Sequence, residues 1–394
     1  MPDIIGENGM TMSVVLCRRL GGFVGALAVL LVVGILVAGC ATSGKSGGES
    51  LRQAPNPAWS LKLAPPHLVV AVSPVRQTLQ IAGSIGTVLG AGITAVQNAK
   101  YKNEIEDALG GYDTVKSIEE RTASSITAAL GGKGARVAPF DKHVEGMSVS
   151  DAARARCRQI AKAGHDQVLD VSATHGVYGV GGELIVRLHA ELHAAPSGKL
   201  LWKDSITFRG GEALAFRSLG DPTGQMMPNI MSPRLSSKAG AVSQWTDNNG
   251  AFFKTEYERA MATALAGLEM ELGGAETAEG LFALGADLMY QKKFAAAHER
   301  LEKARLLSPE RLDIANTEAV NLGHNGQVDD AIVLANLVVA ADGENAPAHM
   351  NLAWWYAVEK GQSEQAGPHY EQALKLGMAP VKKLEKALGL SADR

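Results

Sequence analysis

Cysteine is nearly missing from this sequence: three in 394 residues, at positions 17, 40 and 157. So few, so far apart, exclude a disulfide-stapled scaffold, which needs an even set of cysteines in a short chain. Net charge is also slight, −3, with 38 Lys and Arg against 41 Asp and Glu. That balance provides no basic field, and no nucleic-acid partner is expected. What remains is ordinary globular composition, 46 % hydrophobic and 20 % charged, over a length that suits two domains or three.

Catalytic signatures are missing too, with one apparent exception. GCATSGKS, Gly39 to Ser46, satisfies G-x-x-x-x-G-K-[ST], the phosphate-cradling loop. Such a loop works only between a short buried strand and a helix start whose N–H groups face the phosphates. Here a continuous apolar run, Leu20 to Gly39, precedes it, and GGESLRQAPNPAW follows. The run is far too long for a strand, and the glycines and prolines suit a linker. A nucleotide reading is rejected, and no cofactor is expected.

The same residues make sense around Cys40. Arg18 and Arg19 precede the apolar run, which ends in Val37-Ala38-Gly39-Cys40. A basic segment, an apolar segment and small residues before a cut describe a secretory signal. VAGC resembles the lipobox of bacterial lipoproteins. The resemblance implies that Cys40 is acylated and becomes the new N-terminus, with Ala41, not aspartate, after it. It therefore implies an outer-membrane lipoprotein facing the periplasm, its partners being membrane lipid and other envelope proteins. An uncut membrane anchor is the alternative, since a span needs about 20 apolar residues. Cys17 leaves with the signal, so Cys157 alone stays a thiol. It shares a helical face with Ala153, Ile160 and Ala161, as a buried small apolar residue would.

Self-similarity begins near Ala278. AEGLFALGADLMYQKKFAAAHERLEKARLLSPE places Leu281, Leu284-Gly285, Leu288, Phe294, Ala297, Leu301, Ala304 and Pro309 at helical spacing. Ala297, Ala331 and Ala366 recur at steps of 34 and 35 residues. This resembles the tetratricopeptide repeat, a helix pair of about 34 residues. Glu318 and Gly343 depart from the pattern in the second unit; the third lacks its closing proline, and PVKKLEKALG reads as a capping helix. The resemblance implies a concave groove lined by Phe282, Ala286, Asn316, Val320, Met350 and Trp354, apolar enough to favour an apolar helix or strand of a partner. The competing reading packs Trp354 and Trp355 under the capping helix.

The middle of the chain alternates strand and helix patterns. PHLVVAVSP, ARVAPFD, QVLDVSATHGVYG, ELIVRLHAELHA and LLWKDSITFRG read as strands. DTVKSIEERTASSITAAL, the segment capped by Ser148 with Asp151, and GAFFKTEYERAMATALAGLEMEL read as helices. The last carries an apolar face of Phe253, Tyr257, Met261, Ala264 and Leu268. The order β-α-β-α-β-β-β-α predicts an α+β fold, a sheet with helices on one face. AKAGHDQVLDVSATHG followed by APSGKLLWKD resembles the periplasmic domain shared by the TolB amino-terminal domain and CsgG. The resemblance covers roughly residues 66–272 and implies envelope assembly, with no enzyme activity; self-association is a further option. The uncharged stretch Thr78 to Asn98 has one apolar stripe and suits a helix pressed on the sheet, on membrane or on a second copy.

His189, Glu191 and His193 alternate along one strand and so share a side. Two histidines and a carboxylate are a zinc-type donor set, and a metal-dependent hydrolase is the reading from another class. Arg187 on the same side disfavours a cation, so no metal site is expected. The expected organisation is a signal peptide over 1–39, a flexible linker over 40–64, the α/β domain over 65–274 and an all-α repeat solenoid over 275–394. The function expected is that of a lipid-anchored scaffold or adaptor, with an oligomeric export or assembly component as the alternative.

Overall fold

A computed structural model describes residues 47–52, 54–71, 97–140, 146–178, 182–216 and 238–390. All of them fall within the unit Ser46–Arg394. Cys40 and the lipobox, all but the last two residues of the Thr78–Asn98 stretch, and 217–237 lie outside the described residues.

The described residues open with a short helix, α1 (Gly47–Arg52), and a long strand, β1 (Pro57–Ala71). The strand takes in residues expected to be linker up to position 64 and starts ten residues before His67. Pro57 is tolerated because it is the first strand residue, and Ala58, Trp59 and Leu61 behind it are buried. The register against the next strand slips between Leu63 and Leu68, around Pro65 and Pro66, which have no N–H to donate. Helix α2 is described over 97–109. Helix α3 (Thr114–Ala129) is capped by Asp113, whose carboxylate accepts from the N–H groups of Val115 and Lys116. The strand read in ARVAPFD is only two residues, β2 (Ala135–Arg136). Helix α4 (Val149–Lys162) starts where its cap predicts, with Ser148 Oγ accepting from Asp151 N at 3.2 Å.

Three more described strands join the sheet: β3 (Gln167–Tyr178), β4 (Glu183–Ala194) and β5 (Leu200–Arg209). Among the described residues the order is β2-β1-β3-β4-β5, with β1 parallel to β2 and β3, and β3, β4 and β5 antiparallel in turn. One face carries Leu169, Val171 and Ala173 from β3, Leu184, Val186, Leu188, Ala190 and Leu192 from β4, and Ile206 and Phe208 from β5. Helix α3 and the long α5 (Lys238–Glu271) cover it; Phe253, Tyr257, Met261, Ala264 and Leu268 are all buried as expected. In α5 the backbone leaves helical geometry at Asp247–Gly250, with Asn248 and Asn249 left-handed, so the helix read from Gly250 onward is continuous only after that break.

Helices on one face describes α3 and α5 but not α4. Cys157 and Ile160 pack with Ala58 and Val168 in a separate apolar cluster. Val168 points opposite to Leu169, so this strand start is buried on both sides. Arg156 of α4 donates to both oxygens of Asp170, at 2.8 and 2.7 Å, on that second face, and Ser60 donates to the same carboxylate. The fold is therefore α+β with helices on both faces of the sheet.

After the sheet come three helix pairs: α6 (Ala278–Tyr290) with α7 (Phe294–Leu307), α8 (Leu312–His324) with α9 (Val328–Ala341), and α10 (Ala346–Trp354) with α11 (Ser363–Lys375). A π-type turn, Trp355–Glu359, continues α10, and a short α12 (Lys382–Ala387) is the last described helix. Ala297, Ala331 and Ala366, which define the period, are all completely buried. Gly285 permits close approach within the first pair, since a Cβ there would lie 2.7 Å from Leu301. One apolar core runs from the sheet into these helices, and Phe208 of β5 meets Phe282 of α6 edge to face at 5.4 Å. Truncating Phe208 to alanine is expected to cost about 3–5 kcal/mol. In urea, helical circular dichroism and tryptophan fluorescence should shift together; two separated transitions would show that sheet and helix pairs fold independently.

Candidate functional site

Strand β5 ends at Arg209, but its chain continues across the inner helices of the array. Thr207 N donates to Asp287 Oδ1 of α6 at 3.1 Å. Gly210 N still donates to Leu184 O at 2.9 Å, and Gly211 N reaches Glu256 Oε2 at 3.3 Å. Beyond that, Ala213, Leu214 and Ala215 are buried, and Phe216 packs against Trp354 of α10 with ring centroids 5.4 Å apart. The segment thus advances from α6 past α8 to α10 without regular secondary structure.

Two completely buried asparagines hold it by its main chain. Asn316 Nδ2 donates to Ala213 O at 3.2 Å and to Glu212 Oε2 at 3.1 Å. Asn351 Nδ2 donates to Ala213 O at 3.1 Å and to Asn316 Oδ1 at 2.9 Å, while Asn351 Oδ1 accepts from Ala215 N at 2.7 Å. Every bond but the one to Glu212 is to backbone or between the two amides. Nothing in them reads the side chains of Ala213 or Ala215.

The groove residues named from sequence are all buried. Phe282 meets Phe208 and Asn316 holds Ala213; Val320 and Met350 lie in the core. Trp354 meets both the groove segment and the closing helix, with Phe216 on its ring and Lys383 of α12 over it at 4.8 Å. Asn351, Asp287 and Glu212 were missed. The signal for Asn351 was present: the 35-residue step that joins Ala331 to Ala366 carries Asn316 to Asn351, whereas Met350 is one residue, or about 100° of helix, away.

Two acids in this site are costly. Burial, then the neighbouring Asp313, pushes the Glu212 carboxyl up to about 7, although Asn345, Asn316 and Arg259 oppose the shift. Burial pushes Asp287 up to about 6 against hydrogen bonds from Thr207 N and Gln291. Beside Glu212, Arg311 grips Asp313 with two bonds, at 2.8 and 2.7 Å, and Glu279 at 2.6 Å.

The histidine strand is accounted for on the opposite face of the sheet. His189 Nε2 lies 3.1 Å from Glu191 Oε1 and its Nδ1 lies 2.6 Å from Ser205 Oγ. His193 Nε2 approaches the other carboxylate oxygen at 3.4 Å, so Glu191 sits between both imidazoles. Arg187 donates to Thr207 Oγ1 beside them. Among the described residues no group of three or more His, Cys, Asp or Glu side chains is placed to hold a metal ion. Cys157 is 2 % exposed, and burial pushes its thiol up, away from the reactive thiolate.

No protein-family profile matches the chain, and no curated protein matches it. Among the described residues no helix is long and apolar enough to cross a membrane.

A raised carboxyl pKa favours the folded state while protonated, so that contribution is full below the unfolded value near 4.5 and is lost as pH rises through about 7. Glu212→Gln should therefore raise the melting temperature at pH 8, by up to roughly 3 kcal/mol of stability, and change little near pH 4.5. Melting curves across that window check it; an equal effect at both pH values would contradict the assignment.

Proposed function

We propose that this protein is a scaffold or adaptor of the bacterial cell envelope, held to the outer membrane by acyl chains on Cys40 and facing the periplasm. It acts by binding other proteins. The observation that supports this most is the asparagine pair: the inner surface of the helix array holds polypeptide by its main chain, in the manner of a surface suited to protein segments. The tetratricopeptide-like period of 34 and 35 residues agrees with that use. So does the resemblance of the sheet domain to the TolB amino-terminal and CsgG domains, which belong to envelope assemblies. In this reading residues 210–216 are the resident occupant of the groove, and a partner segment must compete with them there or bind elsewhere on the array or sheet. The lipobox resemblance at VAGC carries the anchoring, because several acyl chains hold durably where one binds only marginally.

Metabolic labelling with a palmitate analogue, followed by cross-linking in membranes and mass spectrometry, tests both halves. Wild-type chain should carry the label and cross-link to envelope proteins. Cys40→Ala should lose the label and keep the apolar run, read as a larger intact mass. A bare Cys40 in the wild type would end the lipoprotein reading, and turnover of a substrate by the purified chain would end the adaptor reading.

A further inference from the structure

One end of the sheet collects exposed cations and apolar side chains close to where the chain enters the fold. It is the end at which β1 and β3 begin and β4 finishes. Ser50 O of α1 accepts from Gln167 Nε2, the first residue of β3, at 3.3 Å. Asn56 N donates to Asp166 Oδ1 at 3.0 Å, and Ala195 N donates to Asp166 O at 2.8 Å, tying α1, β3 and the β4–β5 turn together. Gly198 of that turn sits against Arg154 of α4, where a Cβ would come within 3.1 Å of the arginine side chain.

The outward stripe of α4 is Asp151, Arg154, Arg158 and Lys162, at helical spacing and all exposed. Asp151 is paired with Arg154, at 2.6 Å. Arg156 is not part of the stripe, since Asp170 holds it on the sheet. Met147 and Val149 stand at the head of α4, each 52 % exposed, and Lys199 and Leu200 are exposed beside the turn. The surface is thus positive with apolar side chains at its margins.

Chain length brings this end to the bilayer. Gly47, the first residue of α1, is seven residues on from Cys40. An extended chain advances at most about 3.6 Å per residue, so the attachment reaches no further than about 25 Å. We propose that this end of the α/β body, comprising the α4 stripe and the Ala194–Leu200 turn, rests on the anionic lipid surface to which the chain is attached. The proposal rests on membrane attachment at Cys40. An uncut apolar run ending at Gly39 would give the same geometry. Cations beside an anionic leaflet each contribute about fivefold to binding, and an acyl tether alone sets no orientation. Exposed Met147, Val149 and Leu200 would enter the headgroup layer.

Full-length protein reconstituted in phosphatidylethanolamine–phosphatidylglycerol vesicles, with nitroxide-labelled lipid as quencher, tests the orientation. Val149→Cys, Ser197→Cys and, on α9, Leu337→Cys are labelled with a small fluorophore, the unsubstituted chain serving as blank. Quenching should be several-fold deeper at 149 and 197 than at 337. Reversing Arg154, Arg158 and Lys162 to glutamate should abolish that difference, as should vesicles of phosphatidylcholine alone. Equal quenching at the three positions, or a difference unchanged by charge reversal, overturns the proposal. Palmitate labelling of the same preparation separates the two ideas. A labelled Cys40 with equal quenching removes only the orientation. Selective quenching without a labelled Cys40 keeps the orientation and removes the acylation.

Discussion

Two fully buried side-chain amides govern this structure. Asn316 and Asn351 have no solvent exposure and lie on helices whose other inward residues are largely apolar. A buried donor or acceptor left unmet costs about 1–3 kcal/mol, and two amides bring several. They satisfy each other once, through Asn351 Nδ2 and Asn316 Oδ1. The remaining groups need outside partners with an exposed carbonyl and an exposed N–H. Residues 212–215 supply both, because a chain that has just left a sheet edge has main-chain groups not yet committed to a ladder.

From that requirement the joining of sheet and array follows. Placing Ala213 and Ala215 on the asparagines fixes where β5 must end, and so brings Thr207 to Asp287 and Phe208 to Phe282. The same burial strips water from Glu212 and Asp287. Net hydrogen bonds contribute only about 1 kcal/mol each, so two desolvated acids offset much of what the polar bonds supply. The apolar contacts of Phe208, Leu214 and Phe216 must carry the docking, and the asparagines set its register.

Much of this was legible wherever local pattern decides structure. The alternation in ELIVRLHAELHA put Leu188, Ala190 and Leu192 inside, and none is more than 1 % exposed. Ser148 and the Phe253–Leu268 stripe located their helices. The 34- and 35-residue steps located the helix pairs, and they place Asn316 on the inner helix of the second pair. What stayed hidden depends on partners distant in sequence. The first half of β1 reads as linker because Pro57 marks it, yet it is held in place by residues 110 positions away, Asn56 by Asp166 and Ser60 by Asp170. The apolar face of α4 was visible, but not the side of the sheet it covers. Small residues such as Gly210 and Ala213 have no periodicity, so nothing in their own pattern could announce that they fill a groove.

The strand that links the two halves also separates their environments. β5 starts at Leu200, beside the positive end of the sheet, and finishes at Arg209, where the groove segment begins. Ten residues of strand cover about 33 Å. If a bilayer is met at the first end, it lies several Debye lengths from Glu212 and Asp287, so lipid charge would have little direct influence on their ionisation at physiological salt. The two acids answer to the pH of the surrounding solution and to how deeply their own segments are buried. If residues 210–216 were to leave, Glu212 would leave with them, regain water and be ionised at neutral pH, and the uncovered asparagines would again lack main-chain partners. Any replacement must therefore offer a carbonyl and an N–H two residues apart, as Ala213 and Ala215 do, which an extended strand can present and the interior of a helix, its main-chain groups already paired, cannot.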